Sequence, residues 1–208
     1  MRIGIFGGSF DPLTVGHIAI IRKVIASGLV DKLLIVPTIV DYHRPGKTRW
    51  MEDGMKVSFI KNMLCACGGF ANKVEIDISE LNYRQNHSPE VSAERRFFHT
   101  VYDLKWTLDN ELKDVELYTV VGTDSLANFK TWYRWEDVLK VTKLIGIRGR
   151  EGVTPANEEL CTAMLAIDKK YADISASAIR EKFSDGKPCD DETMRKYMKY
   201  LMEETVER

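Results

Sequence analysis

Two short stretches of this chain bring together residue types that can handle a phosphate. Near the start, in MRIGIFGGSFDPLTVGH, the residues Gly7, Gly8, Ser9, Asp11, Gly16 and His17 crowd one turn. Glycines let backbone N–H groups approach an anion closely, and a helix that begins just after such a loop adds about half a positive charge at its N-terminus. Two glycines alone would serve equally for a bare strand-to-helix turn, but with Ser9, Asp11 and His17 beside them a nucleotide-phosphate site is the better reading. The loop is neither GxGxxG nor GxxxxGK[ST]. Near the other end, ISASAIR (174–180) sets Ser177 where it could cap a following helix and Arg180 where a capping box would carry Glu. A cation in the first turn opposes the helix dipole by about 0.3–1 kcal/mol. Gripping an anion would offset that, although a solvated Arg180 answered by Glu181 explains this motif alone just as well.

Strands and helices must bring these stretches together. The pattern predicts a strand at Arg2–Phe6, a helix from about Val15 that stops at Ser27-Gly28, and a second strand at Leu33–Val36 ending in Pro37. Pro37–Lys47 reads as a loop, 49–63 as a helix and Val74–Ile78 as a strand, with Asn82–Pro89 polar and irregular. A long helix follows over Ala93–Asp109, with Phe97, Val101, Leu104 and Leu108 inward. Then come a strand at Leu117–Val121, short helices at Asp124–Phe129 and Trp135–Leu139, and a strand at Leu144–Ile147. Glu158–Ile167 is expected to be helical and Tyr171–Ile174 to be a sixth strand. Ser177–Phe183 should begin a helix, and Asp190–Glu204 should form a terminal amphipathic one. The alternation, with continuous apolar strands, implies an α/β class: a Rossmann-like doubly wound parallel sheet of five to six strands, helices on both faces. Ligands in such sheets bind beyond the carboxyl ends of the strands, here after strand one, at Pro37–Lys47, and at Gly122–Tyr133. Residues 1–208 read as a single domain, with 184–208 as a C-terminal helical extension.

Composition narrows the function classes. A chain of 208 residues, 44% apolar, can bury one sizeable core. A net charge of −1 offers no global basic field for nucleic acid, and no run approaches the ~20 apolar residues of a membrane span. A signal-peptide pattern is absent from the N-terminus. The cysteines at 65, 67, 161 and 189 lack zinc-site spacing and read as small buried hydrophobes in a reduced, cytoplasmic protein. His87 and His99 show no ligand spacing, and Trp106 and Trp135 read as core.

Taken together, the GGSFDP…GH loop and ISxSxIR resemble the nucleotidyltransferase α/β-phosphodiesterase superfamily, whose (H/T)xGH signature is here Thr14-Val15-Gly16-His17. With His43-Arg44-Pro45, Val121-Gly122-Thr123-Asp124-Ser125-Leu126 and Thr131-Trp132-Tyr133-Arg134-Trp135, the set resembles the bacterial-type nicotinate mononucleotide adenylyltransferase family, from Ile3 to about Phe183. The resemblance implies an enzyme of NAD biosynthesis. It would join ATP to nicotinate mononucleotide, giving deamido-NAD and pyrophosphate, with Mg²⁺ carried in with ATP and no protein-built metal site. It implies an ATP cradle from Gly7, Gly8, Ser9, Phe10, Thr14, Gly16 and His17, with Gly122 and Asp124 lining the nucleotide site. Ser175, Ser177 and Arg180 would hold the outer phosphates, and His17 and Arg180 would act catalytically. Trp132 would stack on the pyridine ring, with Thr100, Tyr133 and Arg44 or Lys47 nearby. Thr14 departs from the usual first histidine, and Phe98–Asp103 departs from the family's YTxDTL. A phosphopantetheine or other nucleotidyltransferase of the superfamily, or a nucleotide-binding regulator without turnover, stands as the alternative. The terminal helix either packs on the domain or joins two subunits, which leaves a homo-oligomer open.

Overall fold

The computed structural model describes residues 1–38, 49–68, 70, 72–86, 93–149, 156–172, 174–185 and 187–206. Its sheet runs β1 (Arg2–Gly8), β2 (Lys32–Pro37), β3 (Val74–Ile76), β4 (Glu116–Gly122), β5 (Thr142–Arg148) and β6 (Cys161–Ala166). The spatial order is β3-β2-β1-β4-β5-β6, and every neighbouring pair is parallel. The chain winds outward from β1 through β2 to β3, then returns to β4 on the other side of β1. The switch point therefore falls between β1 and β4, where their carboxyl ends diverge and leave a crevice.

Side-chain alternation along the strands decides which helices cover which face. Leu33 and Ile35 of β2 join Phe6 of β1 on one face. They pack there with α1 (Val15–Ala26), α2 (Asp53–Cys67), α8 (Ala176–Ser184) and α9 (Asp191–Val206), through Ile18, Ile21, Phe59, Ile60, Ile179, Tyr197 and Leu201. Leu34 and Val36 point the other way with Ile3 and Ile5, against Val101 and Leu104 of α4 (Ala93–Leu112). Farther along that face, Val121 and Leu144 meet Leu126 of α5 (Thr123–Ala127), Phe129 and Val138 of α6 (Trp135–Val141). Each fully buried aliphatic side chain contributes about 1.5–3 kcal/mol. α3 (Ser79–Asn86) and α7 (Lys169–Ala172) are the remaining helices among the described residues.

The structure corrects several expectations. Glu158–Ile167 is a single 3₁₀ turn (Glu158–Leu160) followed by strand β6, because a short apolar run suits either helix or buried strand. Gly146 on β5 makes room for it: a Cβ there would sit 2.2 Å from Met164 Sδ. The stretch expected as a sixth strand, Tyr171–Ile174, instead begins inside α7. Ser79–Asn86 is helical where an irregular segment was expected from Asn82. Trp106 is 72% exposed rather than core, since it lies two residues from Leu104 and so on the opposite side of α4. Cys65 is exposed as well, and Cys67 half-buried.

Candidate active site

The segment that joins β1 to α1 shapes the site. Phe10 adopts a left-handed backbone (φ 41°) and Asp11-Pro12 is cis, which turns the chain sharply beneath the sheet's carboxyl edge. Phe10 is 1% exposed. Its ring meets Phe6 edge-on at 5.3 Å and His17 at 5.1 Å. The side chain placed in the ATP cradle by resemblance therefore supports His17 from below, and it does not line the cleft.

Asp11 holds this segment to the rest of the molecule. It is 2% exposed, and its two carboxylate oxygens accept the backbone N–H groups of Trp50 and Met51, both at 2.8 Å. Its backbone carbonyl accepts Nη1 of Arg180 at 2.7 Å. The other Arg180 nitrogen, Nη2, donates to Ser177 Oγ at 2.9 Å. Lys56 lies fully buried beneath, its Nζ 3.4 Å from the Thr38 carbonyl and 3.7 Å from Asp53, and burial lowers its pKa.

α1 begins with a reciprocal cap. The Thr14 hydroxyl accepts the His17 N–H at 3.4 Å, while the Thr14 N–H donates to His17 Nδ1 at 2.9 Å. Thr14 Oγ1 also lies 2.9 Å from Nδ1. This is a capping box with histidine in the place of glutamate. Because Nδ1 accepts, the neutral ring carries its proton on Nε2. Burial pushes the His17 pKa down to about 4, so the ring is neutral at pH 7 and presents one N–H donor.

The cleft, about 330 Å³, opens at the carboxyl ends of β1, β4 and β5. Of the residues singled out from the sequence, it brings together Ser9, Thr14, Gly16, His17, Gly122, Asp124 and Ser175. The N-termini of α1 and α8 both face it, and neither has an acidic residue in its first turn. Two helix N-termini thus converge on one concave surface, an arrangement suited to a polyphosphate. Gly16 is required sterically: a Cβ there would lie 2.6 Å from the Tyr171 carbonyl oxygen of α7.

α8 is capped by Ser175, whose Oγ accepts the Ala178 N–H at 3.1 Å, and not by Ser177. Arg180 therefore sits beyond the first turn. Its guanidinium bridges to the 9–13 segment, a role that local spacing within ISASAIR could not disclose. Ser177 and Arg180 lie outside the cleft lining. Gly7 and Gly8 end β1 opposite Val36 and Pro37.

The residues expected around a second substrate are not drawn into the same cleft. Thr100 is 4% exposed, on α4. Trp132 is half-buried against Phe129, ring centroids 5.0 Å apart, and Tyr133 is 38% exposed. Both follow α5 past the end of β4. Arg44 and Lys47, with His43 and His87, lie outside the described residues, as does the side chain of His99. Among the described residues, no group of three or more His, Cys, Asp or Glu could hold a metal ion. Sequence reasoning missed Trp50, Met51, Lys56, Tyr171 and Tyr197 here. Of the residues that hold this segment in place, Asp11 and Arg180 were singled out in the sequence, both for a phosphate site.

Comparison with known proteins identifies the family. The model of a family described as cytidylyltransferase-like matches residues 5–182. A Fusobacterium nucleatum protein named "probable nicotinate-nucleotide adenylyltransferase" is 26% identical over 211 residues, 100% of each chain. A protein of the same name from Aliarcobacter butzleri is 31% identical over 147 residues, 70% of each chain. The nicotinate-nucleotide adenylyltransferase of Bacillus subtilis is 25% identical over 202 residues, 97% of this chain and 96% of its own. In fold, the chain resembles the Plasmodium falciparum nicotinic acid mononucleotide adenylyltransferase complexed with NaAD. Their TM-score is 0.64 at 18% identity, across 99% of this chain and 96% of the other.

Proposed function

The chain belongs to the cytidylyltransferase-like family, and from that premise we propose that it transfers the adenylyl group of ATP to nicotinate mononucleotide, giving deamido-NAD and pyrophosphate. The observation that carries this reading is the pair of helix N-termini, α1 and α8, facing one cleft that also holds a neutral His17. Relatives across the whole chain and across 70% of it bear the corresponding activity in their names.

In the proposed step, a phosphate oxygen of the mononucleotide attacks the α-phosphorus of ATP. The new O–P bond forms as the bond between the α-phosphorus and its bridging oxygen breaks, and pyrophosphate leaves with the electron pair. A phosphate monoester, with a second pKa near 6, is largely dianionic at neutral pH, so the attack needs no general base. Rate then comes from alignment and from stabilising charge on the leaving phosphates. The His17 Nε2–H and the N-terminal amides of α1 and α8 are the donors proposed for that charge. Arg180, anchored to Asp11 and Ser177, is proposed to act at the rim, joining the outer phosphates when ATP is bound. Mg²⁺ is proposed to enter with ATP as part of the substrate. Trp132, Tyr133, Thr100 and the basic residues Arg44 and Lys47 remain the proposed mononucleotide side. We also propose that 1–208 acts as one nucleotidyltransferase unit in the cytoplasm; among the described residues no helix is long and apolar enough to cross a membrane.

Pyrophosphate release tests the reading, with ATP and Mg²⁺ offered beside nicotinate mononucleotide, nicotinamide mononucleotide or phosphopantetheine in separate reactions. Release should be fastest with nicotinate mononucleotide. Release with phosphopantetheine alone would assign the sister activity within the superfamily, and none with any acceptor would sink the reading.

A further inference from the structure

One peptide group in the site is gripped at both ends. The N–H of Thr14 donates to His17 Nδ1 at 2.9 Å. The carbonyl of the same peptide unit, that of Leu13, accepts the hydroxyl of Tyr197 at 2.7 Å. Tyr197 belongs to α9, 184 residues further along the chain from Leu13. The first intrahelical bond of α1 goes to the Thr14 carbonyl, from Ile18, so the Leu13 carbonyl lies outside the helix ladder. Leu13 is 0% exposed, and the phenol takes the place that water cannot.

The phenol has little freedom. Tyr197 is 0% exposed. Its ring stacks on Phe59 at 5.5 Å and meets Trp50 and Phe183 edge-on at 5.7 and 5.1 Å. Helices α2 and α8 and the segment before α2 therefore fix the hydroxyl's position. Burial pushes its pKa up, so it remains a donor at any physiological pH.

We propose that Tyr197 is a positioning residue for His17, acting through the Leu13–Thr14 peptide group. A hydrogen bond on the carbonyl sets the plane of the peptide and polarises it, which strengthens its N–H as a donor to Nδ1. That donor, with the Thr14 hydroxyl 2.9 Å from the same nitrogen, keeps Nδ1 unprotonated and leaves the imidazole proton on Nε2; of the two, only the amide is fixed as a donor. Without the phenol the buried carbonyl has a reason to rotate toward another donor. Rotation would carry the Thr14 N–H off Nδ1 and let the two neutral tautomers compete. The helix that closes the fold thereby sets the proton position of a histidine at the other end of the chain. The catalytic consequence rests on the adenylyl-transfer reading; the tautomer does not.

The test compares wild type with Tyr197→Phe, which removes only the hydroxyl, and with Leu201→Val, which loosens the same helix at a residue that is 0% exposed. Nitrogen-15 long-range NMR on the ligand-free protein reads the His17 tautomer, with the resonance assigned by its loss in His17→Asn. Tyr197→Phe should move His17 from the Nε2–H form toward a mixture of tautomers. It should lower kcat about 3- to 10-fold, the range one net hydrogen bond allows, with little change in the KM for ATP. Leu201→Val should lower Tm and leave both readouts in place. A Tyr197→Phe spectrum identical to wild type overturns the proposal. So does a kcat at the wild-type value, or the same spectral change in Leu201→Val. Absence of turnover in the wild type would sink the adenylyl-transfer reading instead, and the spectra would still decide on Tyr197.

Discussion

Replacing Asp11 with alanine should destabilise the fold strongly, although the side chain is polar. The carboxylate is 2% exposed and accepts two backbone N–H groups at 2.8 Å, from Trp50 and Met51, residues that are themselves 1% and 0% exposed. Neither amide can turn to water when the oxygens are removed. Leaving a buried donor unpaired costs about 1–3 kcal/mol, so the pair is worth roughly 2–6 kcal/mol. Asp11 also holds up the charged form of the buried Lys56, which would be left with Asp53 at 3.7 Å as its nearest carboxylate. Asp11→Asn keeps one acceptor oxygen and should lose about half as much as alanine. Against a typical total of about 5–15 kcal/mol, that loss is a large fraction of the stability. Equilibrium urea unfolding at pH 7 measures the order wild type, Asn, Ala. An alanine variant within about 1 kcal/mol of wild type would refute the claim that Asp11 pins the loop to the start of α2.

Gly16→Ala should lower Tm, since its Cβ would meet the Tyr171 carbonyl oxygen at 2.6 Å; a rise, as ordinary helix propensity would give, would show that α7 yields freely. Thr14→Val, which keeps shape but loses the cap oxygen, should cost about 1 kcal/mol and reduce kcat, whereas Thr14→Ser should retain both; thermal melts and pyrophosphate release check the pair. Between pH 6.5 and about 4 the unfolded chain protonates at His17 and the native one does not. Stability should therefore decrease as the pH is lowered from 6.5 to about 4, and Tm-against-pH curves should be flatter there for His17→Gln than for wild type. Burial raises the thiol pKa of Cys161 to about 11 and of Cys189 to about 12, while Cys65 is exposed. Iodoacetamide at pH 8 should label Cys65 first by mass spectrometry, and equal labelling of Cys161 would contradict its burial.

Much of the fold was legible because its signals are local. Continuous apolar runs marked β1, β2, β4 and β5, and Ser27-Gly28 marked the end of α1, where Gly28 has a φ of 67°. The errors fell where a short apolar segment has no local arbiter. LCTAMLAI lacks a periodicity that separates strand from helix, and only the space left by Gly146 settles it as β6. In the site, glycines, a serine and a histidine in one turn announced a phosphate cradle. What holds the cradle was invisible, because Trp50, Met51, Arg180 and Tyr197 reach it from distant segments through bonds that no spacing rule encodes. Ser177 was misplaced as the cap of α8 because Ser175 offers the same chemistry two residues earlier.

Thr14 read from sequence as the odd letter of the signature, yet its position explains it. It is 1% exposed at the N-cap of α1, where threonine is a good cap and its hydroxyl and amide both address His17 Nδ1. The amide contact belongs to the backbone and would survive any residue there but proline; the hydroxyl adds the cap and a second contact to Nδ1. The histidine's protonation state therefore depends more on the orientation of the Leu13–Thr14 peptide than on what residue 14 is. That orientation depends in turn on Asp11 two residues before and on Tyr197 from α9. Position 14 should therefore tolerate change that Gly16 and these supports should not. The most damaging substitutions are accordingly expected at Asp11, Gly16 and Tyr197, and milder ones at Thr14.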